Sequence, residues 1–267
     1  YVFHAAAYKH VPMMEDNPAE AVQNNIYGTR VIADLAVKYG TNKFVMISTD
    51  KAVNPTNVMG CSKRICEIYC QSLNNKLWEE TQRTGKPTTQ FVTTRFGNVL
   101  GSNGSVIPIF KEQIRKGGPV TVTHKDIIRY FMLIPEACKL VLQAGTMGRG
   151  GEIYVFDMGK PVRIADLAQR MIDLSGAKNI HITFTGLRDG EKLYEEVLND
   201  AEQTIPTTHS KIMVAKVREY PYELALNNEK ELYELSLTSN EMDIVRKMKE
   251  IVPEYKSQHS KYQQLDN

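Results

Sequence analysis

An alternation of short apolar segments with long helix-prone ones constrains the fold of this chain more than any other feature. Residues 43 to 48 are typical of a strand, about Val58 to Thr84 of a long helix, and Thr88 to Arg95, rich in Thr and Val, of another strand. Because a strand, a helix and a further strand in succession place the two strands parallel, the sequence predicts an α/β fold with a helix-covered parallel sheet.

Two elements precede that unit and extend it. Tyr1–His4 is typical of a strand, and Asn17 can cap a helix that Pro18 begins. The helix is predicted to run to about Tyr39 and to end at Gly40. The order of strand, helix and strand is thus repeated, which fits one parallel sheet.

Beyond Arg95 the character of the sequence changes. Gly97, Gly101 and Gly104 loosen a loop that leads into a helix at about residues 105 to 116. The further predicted elements are a short strand at Pro119 to Val122, a helix at residues 134 to 147, a strand at Glu152 to Phe156 and an amphipathic helix at Ile164 to Ser175. From about residue 227 the sequence is polar and helix-prone, and its Lys-, Gln- and Ser-rich end is expected to fray.

Composition excludes several classes of partner. The chain has 267 residues, of which 42% are hydrophobic and 24% charged, as in ordinary soluble globular proteins. Its 33 basic and 31 acidic residues are interspersed, so the net charge of +2 predicts neither nucleic-acid nor membrane-surface binding. No apolar stretch approaches the roughly 18 residues that span a bilayer, and no signal peptide is visible, so we expect a soluble chain.

The four cysteines predict reduced thiols in a cytosolic protein. Cys61, Cys66, Cys70 and Cys138 show no paired C-x-x-C spacing, and three of them lie in one predicted helix. This pattern favours neither zinc nor disulfides, and we expect no metal site.

A hydroxyl, a carboxyl and an amine leave the end of the strand at residues 43 to 48. Ser48, Thr49, Asp50 and Lys51 follow the apolar run directly, and a second lysine comes twelve residues after Lys51. Open parallel sheets bind their ligands at the carboxyl ends of the strands. We therefore expect the chemistry of the protein at this point.

Several motifs occur in the order found in one group of enzymes. They are Asp50–Asn57, the pair Ser62–Lys63, His4–Ala7, Asn25 with Gly28–Thr29, Arg95–Val99 and Gly190–Lys192. On these residues the chain resembles the nucleotide-sugar 4,6-dehydratase branch of the extended short-chain dehydrogenases/reductases. More narrowly, it resembles the UDP-N-acetylglucosamine 4,6-dehydratases of bacterial polysaccharide biosynthesis. The resemblance covers residues 1 to about 260.

The resemblance implies a Rossmann-like doubly wound parallel sheet with a smaller α/β substrate-binding domain. Residues 1–97 would form the C-terminal part of the NAD-binding domain, which about 134–158 would rejoin. Residues 98–133 and 159–267 would form the substrate-binding domain and a polar C-terminal tail.

NAD is the cofactor that the resemblance implies. The G-x-G-x-x-G turn that holds its pyrophosphate lies between a strand and a helix, whereas Gly148–Gly151 follows a helix and precedes a strand. We therefore expect about three strands, with their helices, before Tyr1.

The resemblance also implies a cytoplasmic homo-oligomer. Because large-form relatives often carry an amino-terminal membrane segment, the preceding part could anchor the whole protein.

The proposed reaction needs hydride removal at sugar carbon 4, an acid for the carbon 6 hydroxyl and a base for the carbon 5 proton. The resemblance assigns Asp50 as the acid and Lys51 as the base. Both need pKa values near the working pH, so we expect burial to raise the pKa of Asp50 and to lower that of Lys51. Their mutual attraction acts in the opposite direction.

Met59 stands where most short-chain dehydrogenases have the tyrosine of a Y-x-x-x-K motif. A thioether cannot exchange a proton, so another group must assist oxidation at carbon 4. Thr49, or a water that it holds, is the local candidate, and Lys63 keeps the ribose-binding role of the motif lysine. Methionine here resembles the retaining, large-form dehydratases.

Two sets of binding residues follow from the same resemblance. Those for the cofactor are His4, Ala5, Ala6, Asn25, Ser48 and Lys63. Those for the UDP-sugar substrate are Lys9, Asn98, Val106, Arg129, Arg188 and Glu191, because planar guanidinium groups can bind two phosphate oxygens together. Two interpretations stay open for His4, a cofactor contact or a core histidine, and two for Asn25, a proton relay or a buried amide bonded to backbone.

Two other functions compete with dehydration. A 4-epimerase needs oxidation and rotation but no acid and base at carbons 5 and 6, so the Thr49-Asp50-Lys51 triplet and the lost tyrosine argue against it. A catalytically silent nucleotide-sugar-binding module is the alternative from another class. Binding measurements with UDP and with NAD separate these functions.

Overall fold

The structure, a computed structural model, describes residues 1–196 and 203–266. The strands are β1 (Val2–His4), β2 (Lys43–Ile47), β3 (Gln90–Arg95), β4 (Asn98–Val99), β5 (Val120–Val122), β6 (Ile128–Arg129), β7 (Phe131–Met132), β8 (Ile153–Phe156), β9 (Val162–Arg163), β10 (Ile182–Phe184), β11 (Gln203–Pro206) and β12 (Ile212–Lys216). The helices are α1 (Val11–Asp16), α2 (Pro18–Glu20), α3 (Gly28–Lys38), α4 (Val58–Thr84), α5 (Val106–Arg115), α6 (Ile134–Met147), α7 (Ile164–Ser175), α8 (Tyr222–Thr238) and α9 (Glu241–Ile251). A π-helical stretch lies at Ala21–Tyr27, and 3₁₀ turns lie at Asp50–Ala52 and Lys261–Leu265.

Six strands form one sheet in the order β1-β2-β3-β8-β12-β11. β1, β2, β3 and β8 run parallel, which confirms the helix-covered parallel sheet. β12 and β11 extend it with antiparallel pairing. The sequence did not predict these two strands, because a short apolar run such as Ile212–Ala215 does not by itself distinguish a strand from a helix.

Helix α4 connects β2 to β3, and its ends match the sequence prediction. The Asn57 side chain caps it by accepting a hydrogen bond from the Gly60 N–H at 2.7 Å. Gly85 ends it in the left-handed conformation, with φ of 69°. α4 packs against strand β3 and against helices α1, α3, α8 and α9, which is why so many of its residues are buried and why it lacks a polar face of ordinary width.

The first long helix differs from the prediction in its geometry. It runs from Pro18 to Lys38, but its middle, Ala21–Tyr27, is π-helical. The predicted capping role of Asn17 is wrong: its side chain donates to the Met13 carbonyl, because a short helix already precedes it.

The end of the described chain packs into the main core, so the prediction that it frays is wrong. Tyr255 and Tyr262 are buried and share a cluster with residues of α3, α4, α8 and α9. The Tyr262 hydroxyl donates to the Glu15 carbonyl at 3.0 Å. Lys256 and Gln258 donate backbone hydrogen bonds to the loop that leads into α4. This segment is polar in composition, but its side chains Tyr255 and Tyr262 are deeply buried and hold it against the core.

A smaller core lies between α5, α7 and the parallel pair β5 and β10. Its buried members are Phe110, Val120, Val122, Ile127, Ile164, Ala168 and Ile172. This core supports one wall of a cavity described below. None of the helices that the structure describes is both long and apolar enough to cross a bilayer.

Candidate active site

The polar segment singled out in the sequence lies at the carboxyl end of β2. The backbone N–H of Asp50 donates to the carbonyl of Phe96, beyond β3, at 3.2 Å. Thr49 caps the 3₁₀ turn that follows by accepting from the Lys51 N–H at 3.3 Å. The backbone that carries the Asp50 carboxyl and the Lys51 amine is therefore held in place by the ends of two adjacent parallel strands.

Asp50 is completely buried at the base of this turn. Its Oδ1 accepts from Lys51 Nζ at 3.0 Å and from the Thr49 hydroxyl at 2.9 Å, whereas Oδ2 has no hydrogen-bond partner among the described residues. Gly97 permits this position, because a Cβ there would lie 2.9 Å from Oδ2. Burial raises the pKa of Asp50 against the opposing charge of Lys51, which favours the neutral form that a general acid needs.

Lys51 contacts two carboxylates. Its Nζ lies 3.0 Å from Asp50 Oδ1 and 3.3 Å from Glu195 Oε1, and it reaches Asn98 Oδ1 at 3.5 Å. Burial by itself would lower the pKa of the amine, but the two carboxylates outweigh burial and raise it. The expected lowering is therefore wrong in direction, because nothing near Lys51 in the chain indicates the second carboxylate.

Glu195 is the residue that sequence reasoning missed. Its side chain is 3% exposed, and Oε1 lies 3.5 Å from Arg129 Nε as well as 3.3 Å from Lys51 Nζ. Burial would raise the pKa of Glu195, but the charges of Lys51, Arg129 and Lys192 outweigh burial and lower it. Gly190–Lys192 is the last motif that carries the resemblance, and only the polar spacing beyond it could have drawn attention to this glutamate. We call Asp50, Lys51 and Glu195 the Lys51 cluster.

Two adjoining cavities meet at Asn98, whose Oδ1 lies 3.5 Å from Lys51 Nζ. The first, of about 350 Å³, is named here the Lys51 cleft, and the predicted residues that line it are Ala5, Lys9, Ser48, Thr49, Lys51, Met59, Lys63 and Asn98. The second, of about 200 Å³, is named the Arg188 cavity, and it is lined by Asn98, Val106, Arg129, Arg188 and Glu191. The two cavities share Asn98, Gly104 and Ser105. The structure thus brings residues from distant parts of the chain to one continuous site.

Met59 and Lys63 are one turn apart at the start of α4. Both are mostly buried, and both line the Lys51 cleft. The thioether of Met59 carries no exchangeable proton. The hydroxyl of Thr49, the predicted assistant of carbon 4 oxidation, donates to Asp50. The role of Thr49 stays a prediction.

The two predicted phosphate-binding arginines differ in their contacts. Arg129 donates to the carbonyls of Ile128, Lys192 and Leu193, so it anchors the loop that carries Glu195. Arg188 is exposed, and its guanidinium makes no hydrogen bond or ion pair within the described ranges. Arg188 is therefore the more available of the two for a phosphate.

His4, Asn25 and Ala6 lie outside the lining of both cavities. The Nε2 of His4 lies 2.8 Å from the Thr29 hydroxyl, and burial, aided by the charge of Lys63, lowers the pKa of His4 to about 4. These contacts are those of a core histidine. Ala6 is exposed.

Asn25 is fully buried, and its side chain holds the backbone of Tyr8, a residue that lines the Lys51 cleft. Its side chain accepts from the Tyr8 N–H at 2.7 Å, and donates to the Tyr8 carbonyl and to the Ser62 hydroxyl, both at 3.0 Å. Among the described residues these are the contacts of a structural amide, one of the two interpretations left open.

A second ionic group, which we call the Glu67 cluster, lies behind the cleft. Glu67 accepts two hydrogen bonds from Arg95, at 2.8 and 2.7 Å, one from Ser48 at 2.6 Å and one from Arg64 at 3.2 Å. Burial would raise the pKa of Glu67, but the two arginines outweigh burial and lower it. The cluster ties α4 to the carboxyl ends of β2 and β3. Ser48 is predicted to bind the cofactor, and its hydroxyl donates its hydrogen bond to this carboxylate.

Solved structures share this fold. Pen from Bacillus thuringiensis is 35% identical with a TM-score of 0.74, over 83% of this chain and 66% of that chain. A double mutant of DesIV, a dTDP-glucose 4,6-dehydratase from Streptomyces venezuelae, is 22% identical with a TM-score of 0.62, over 74% and 63% of the respective chains. The fold is therefore Rossmann-like, as predicted, and it matches that of solved epimerases and dehydratases.

The chain belongs to the family of polysaccharide biosynthesis proteins, whose pattern matches residues 1–217. Capsular polysaccharide biosynthesis protein CapD of Staphylococcus aureus is 58% identical over 221 residues, which are 82% of this chain and 35% of that protein. UDP-glucose 4-epimerase of Rickettsia canadensis is 40% identical over 202 residues, 76% of this chain and 57% of that protein. The chain spans about a third of the length of CapD. The predicted resemblance is thus confirmed for the family.

Proposed function

We propose that this chain provides the acid–base and substrate-binding part of an NAD-dependent 4,6-dehydratase. Its substrate is a UDP-N-acetylhexosamine, UDP-N-acetylglucosamine by the resemblance, and its product a 4-keto-6-deoxy sugar nucleotide for polysaccharide synthesis. One observation carries the proposal: Asp50 and Lys51 touch at 3.0 Å beside a cleft that continues into the Arg188 cavity.

The chemistry divides between these two side chains. A ketone at carbon 4 acidifies the carbon 5 proton, so a base and an acid near one hexose suffice for elimination. Asp50, whose pKa is raised, donates its proton to the departing carbon 6 hydroxyl. Lys51 removes the carbon 5 proton, which requires its amine form.

The lining of the Lys51 cleft fits a nicotinamide cofactor. Ala5 and Ala7 present small side chains there, and Lys63 presents an amine that can hold ribose hydroxyls. NAD, when bound, supplies hydride acceptance at carbon 4 and hydride return at carbon 6. Met59 leaves this part of the cleft without a proton-exchanging side chain.

The Arg188 cavity fits the nucleotide diphosphate. The Arg188 guanidinium has no hydrogen-bond partner among the described residues. Glu191 lies on the same wall, and its carboxylate accepts a hydrogen bond from the backbone N–H of Arg188 at 3.1 Å. Val106 offers an apolar surface for the base, and Asn98 lies where the two cavities meet. This arrangement would place the sugar next to Lys51.

A 4-epimerase is the second candidate, because the Rickettsia canadensis relative carries that name at 40% identity. An epimerase returns hydride to carbon 4 and leaves the carbon 5 hydrogen in place. Elimination instead exposes carbon 5 to exchange. The fate of that hydrogen therefore separates the two functions.

The test is made in the whole protein with UDP-N-acetylglucosamine in deuterated water. We expect a 4-keto-6-deoxy product with deuterium at carbon 5, read by NMR. Asp50→Asn and Lys51→Ala should each lower turnover by about a hundredfold or more while UDP binding is retained. The matched controls Asp166→Asn and Lys139→Ala alter exposed residues of α7 and α6 and should leave turnover unchanged. An epimerised product without deuterium would favour the second candidate.

The division at residues 97 and 158, homo-oligomer formation and a membrane anchor in the whole protein stay predictions. The substrate and the cofactor are proposals. Titration calorimetry with UDP and with NAD measures both, and binding without turnover would favour the catalytically silent module.

A further inference from the structure

The base proposed above is held as an ammonium. Two buried carboxyl groups, those of Asp50 and Glu195, lie 3.0 and 3.3 Å from Lys51 Nζ, and an ammonium cannot accept the carbon 5 proton. Asp50 cannot relieve this charge, because its neutral form is needed as the acid. A second acceptor for the lysine proton is therefore required next to Nζ.

Glu195 has the geometry of that acceptor. Its Oε1 is 3.3 Å from Lys51 Nζ, and its buried Oε2 has no hydrogen-bond partner in the part of the chain that the structure describes. Both oxygens of Glu67, by contrast, accept hydrogen bonds. Glu195 therefore keeps one buried oxygen open to a proton, and the charges of Lys51, Arg129 and Lys192, which lower its pKa, are what substrate binding must offset.

Glu195 is linked to the substrate side of the site through Arg129. Arg129 Nε lies 3.5 Å from the same Oε1, and Arg129 lines the Arg188 cavity. A diphosphate in that cavity would offset the positive charge of Arg129, which helps to keep Glu195 ionised. Substrate binding would therefore make the carboxylate more ready to take a proton.

We propose that Glu195 is a positioning residue that accepts the Lys51 proton when the substrate diphosphate binds, and so converts Lys51 into the base. This inference rests on the proposed dehydration. Glu195 lines neither cavity and acts only through Lys51. It is therefore distinct from the acid and the base themselves.

The protons balance over the elimination. One proton moves from Lys51 Nζ to Glu195, and the free amine takes the carbon 5 proton. The electron pair of that C–H bond forms the carbon 5 to carbon 6 double bond, and the carbon 6 hydroxyl leaves with the Asp50 proton as water. Asp50 then regains a proton from Lys51, and Lys51 regains one from Glu195. The cluster returns to its starting state.

The decisive variant is Glu195→Gln in the whole protein, compared with Glu196→Gln. Gln keeps the shape but cannot take the lysine proton. Glu196 is the adjacent residue, its side chain is 50% exposed, and it pairs with Lys192, so it controls for the loss of one negative charge. Exchange at carbon 5 is followed by NMR, hydride transfer from carbon 4 by NADH absorbance, and UDP affinity by calorimetry.

Glu195→Gln should slow carbon 5 exchange and kcat by about tenfold to a hundredfold, with KM, UDP affinity and NADH formation close to those of the unaltered protein. Glu196→Gln should change none of these. Equal exchange rates in the two variants would overturn the inference, and so would an equal loss of UDP affinity and exchange in Glu195→Gln, which marks a purely structural role.

Glu195→Asp provides the second test, because it keeps a proton acceptor but draws it back by one methylene. It should recover part of the exchange that Gln loses, and an Asp variant no better than Gln would overturn the inference. If Glu195→Gln does not fold, the ratio of exchange to NADH formation in Glu195→Asp decides, and an unchanged ratio counts against the role. Absence of carbon 5 exchange in the unaltered protein would instead contradict the proposed dehydration.

Discussion

The Glu67 cluster and the Lys51 cluster are built from the same kinds of side chain and differ in how completely they are bonded. Both oxygens of Glu67 are satisfied, by two arginines and a serine. In the Lys51 cluster, one oxygen of Asp50 and one of Glu195 have no partner in the described residues. The first cluster is closed, and the second retains capacity to bind a proton or a substrate group.

This difference separates stability from chemistry within one short stretch of structure. Ser48 donates to Glu67, and Asp50 follows two residues later, in the 3₁₀ turn after β2. A closed ionic network fixes α4 against the sheet, so the neighbouring turn can hold an incompletely bonded carboxyl in place. Burial of polar groups without partners costs free energy, and such groups cluster where function requires them.

The strongest way to break the closed cluster is Glu67→Gln. Removal of one charge from a buried ionic network typically costs about 3 to 5 kcal/mol, because the partner arginines stay buried without their counter-charge. We expect a loss of that size in the free energy of unfolding, measured by urea denaturation. The matched control is Glu79→Gln, which removes an exposed carboxylate from the same helix and should change stability little. A loss below about 1 kcal/mol for Glu67→Gln would contradict the structural role.

The arginines of the Arg188 cavity extend the comparison. Arg188→Ala should weaken UDP binding by about 1.5 to 3 kcal/mol, the worth of a charge-assisted contact, and leave the melting temperature and NAD affinity nearly unchanged. Calorimetry and thermal unfolding measure these quantities. Arg129→Ala should lower the melting temperature as well, because Arg129 is bonded to three backbone carbonyls. Identical behaviour of the two variants would remove the distinction between the arginines.

Asp50→Asn should have the smallest effect on stability, below about 1 kcal/mol, although it should lower turnover by about a hundredfold or more. Burial already favours the neutral carboxyl, and the amide is neutral and of similar shape. The measurement is urea denaturation at neutral pH. A loss of unfolding free energy comparable to that of Glu67→Gln would show that Asp50 contributes as much to stability as Glu67 does.

The pH dependence of stability should differ in sign between the two clusters. The pKa of Glu67 is lowered, so its contribution is present above the unfolded pKa of about 4.3 and is lost as pH falls through the folded pKa. The pKa of Asp50 is raised, so its contribution is present below the unfolded pKa of about 3.9 and is lost as pH rises through the folded pKa. Stability relative to the unaltered protein should rise with pH for Asp50→Asn and fall with pH for Glu67→Gln in the acid range.

The sequence was sufficient where local chemistry decides the structure. The Asn57 cap and Gly85 define the ends of α4, and the apolar run before Ser48 defines the strand end that carries Asp50 and Lys51. The residues proposed for the diphosphate also meet in one cavity, although the resemblance and not their spacing identified them.

The sequence was insufficient where distant segments meet. Glu195 reaches Lys51 only because Arg129 anchors its loop, and nothing near Lys51 in the chain indicates a second carboxylate. The direction of the Lys51 pKa shift therefore could not be predicted. The packing of Tyr255 and Tyr262 also depends on partners far away in the chain, which composition does not reveal.

The π-helical stretch Ala21–Tyr27 limits which insertions and deletions the protein can accept. A π turn contains about one residue more than an α turn, so loss of a single residue there would let the stretch close as an ordinary α-helix. Each residue of an α-helix turns by about 100°, so Asn25 would rotate away from Tyr8 and Ser62, which it bonds. Variation in chain length should therefore be tolerated in the loops around this helix and excluded from its middle, where one deleted residue would release a wall of the Lys51 cleft.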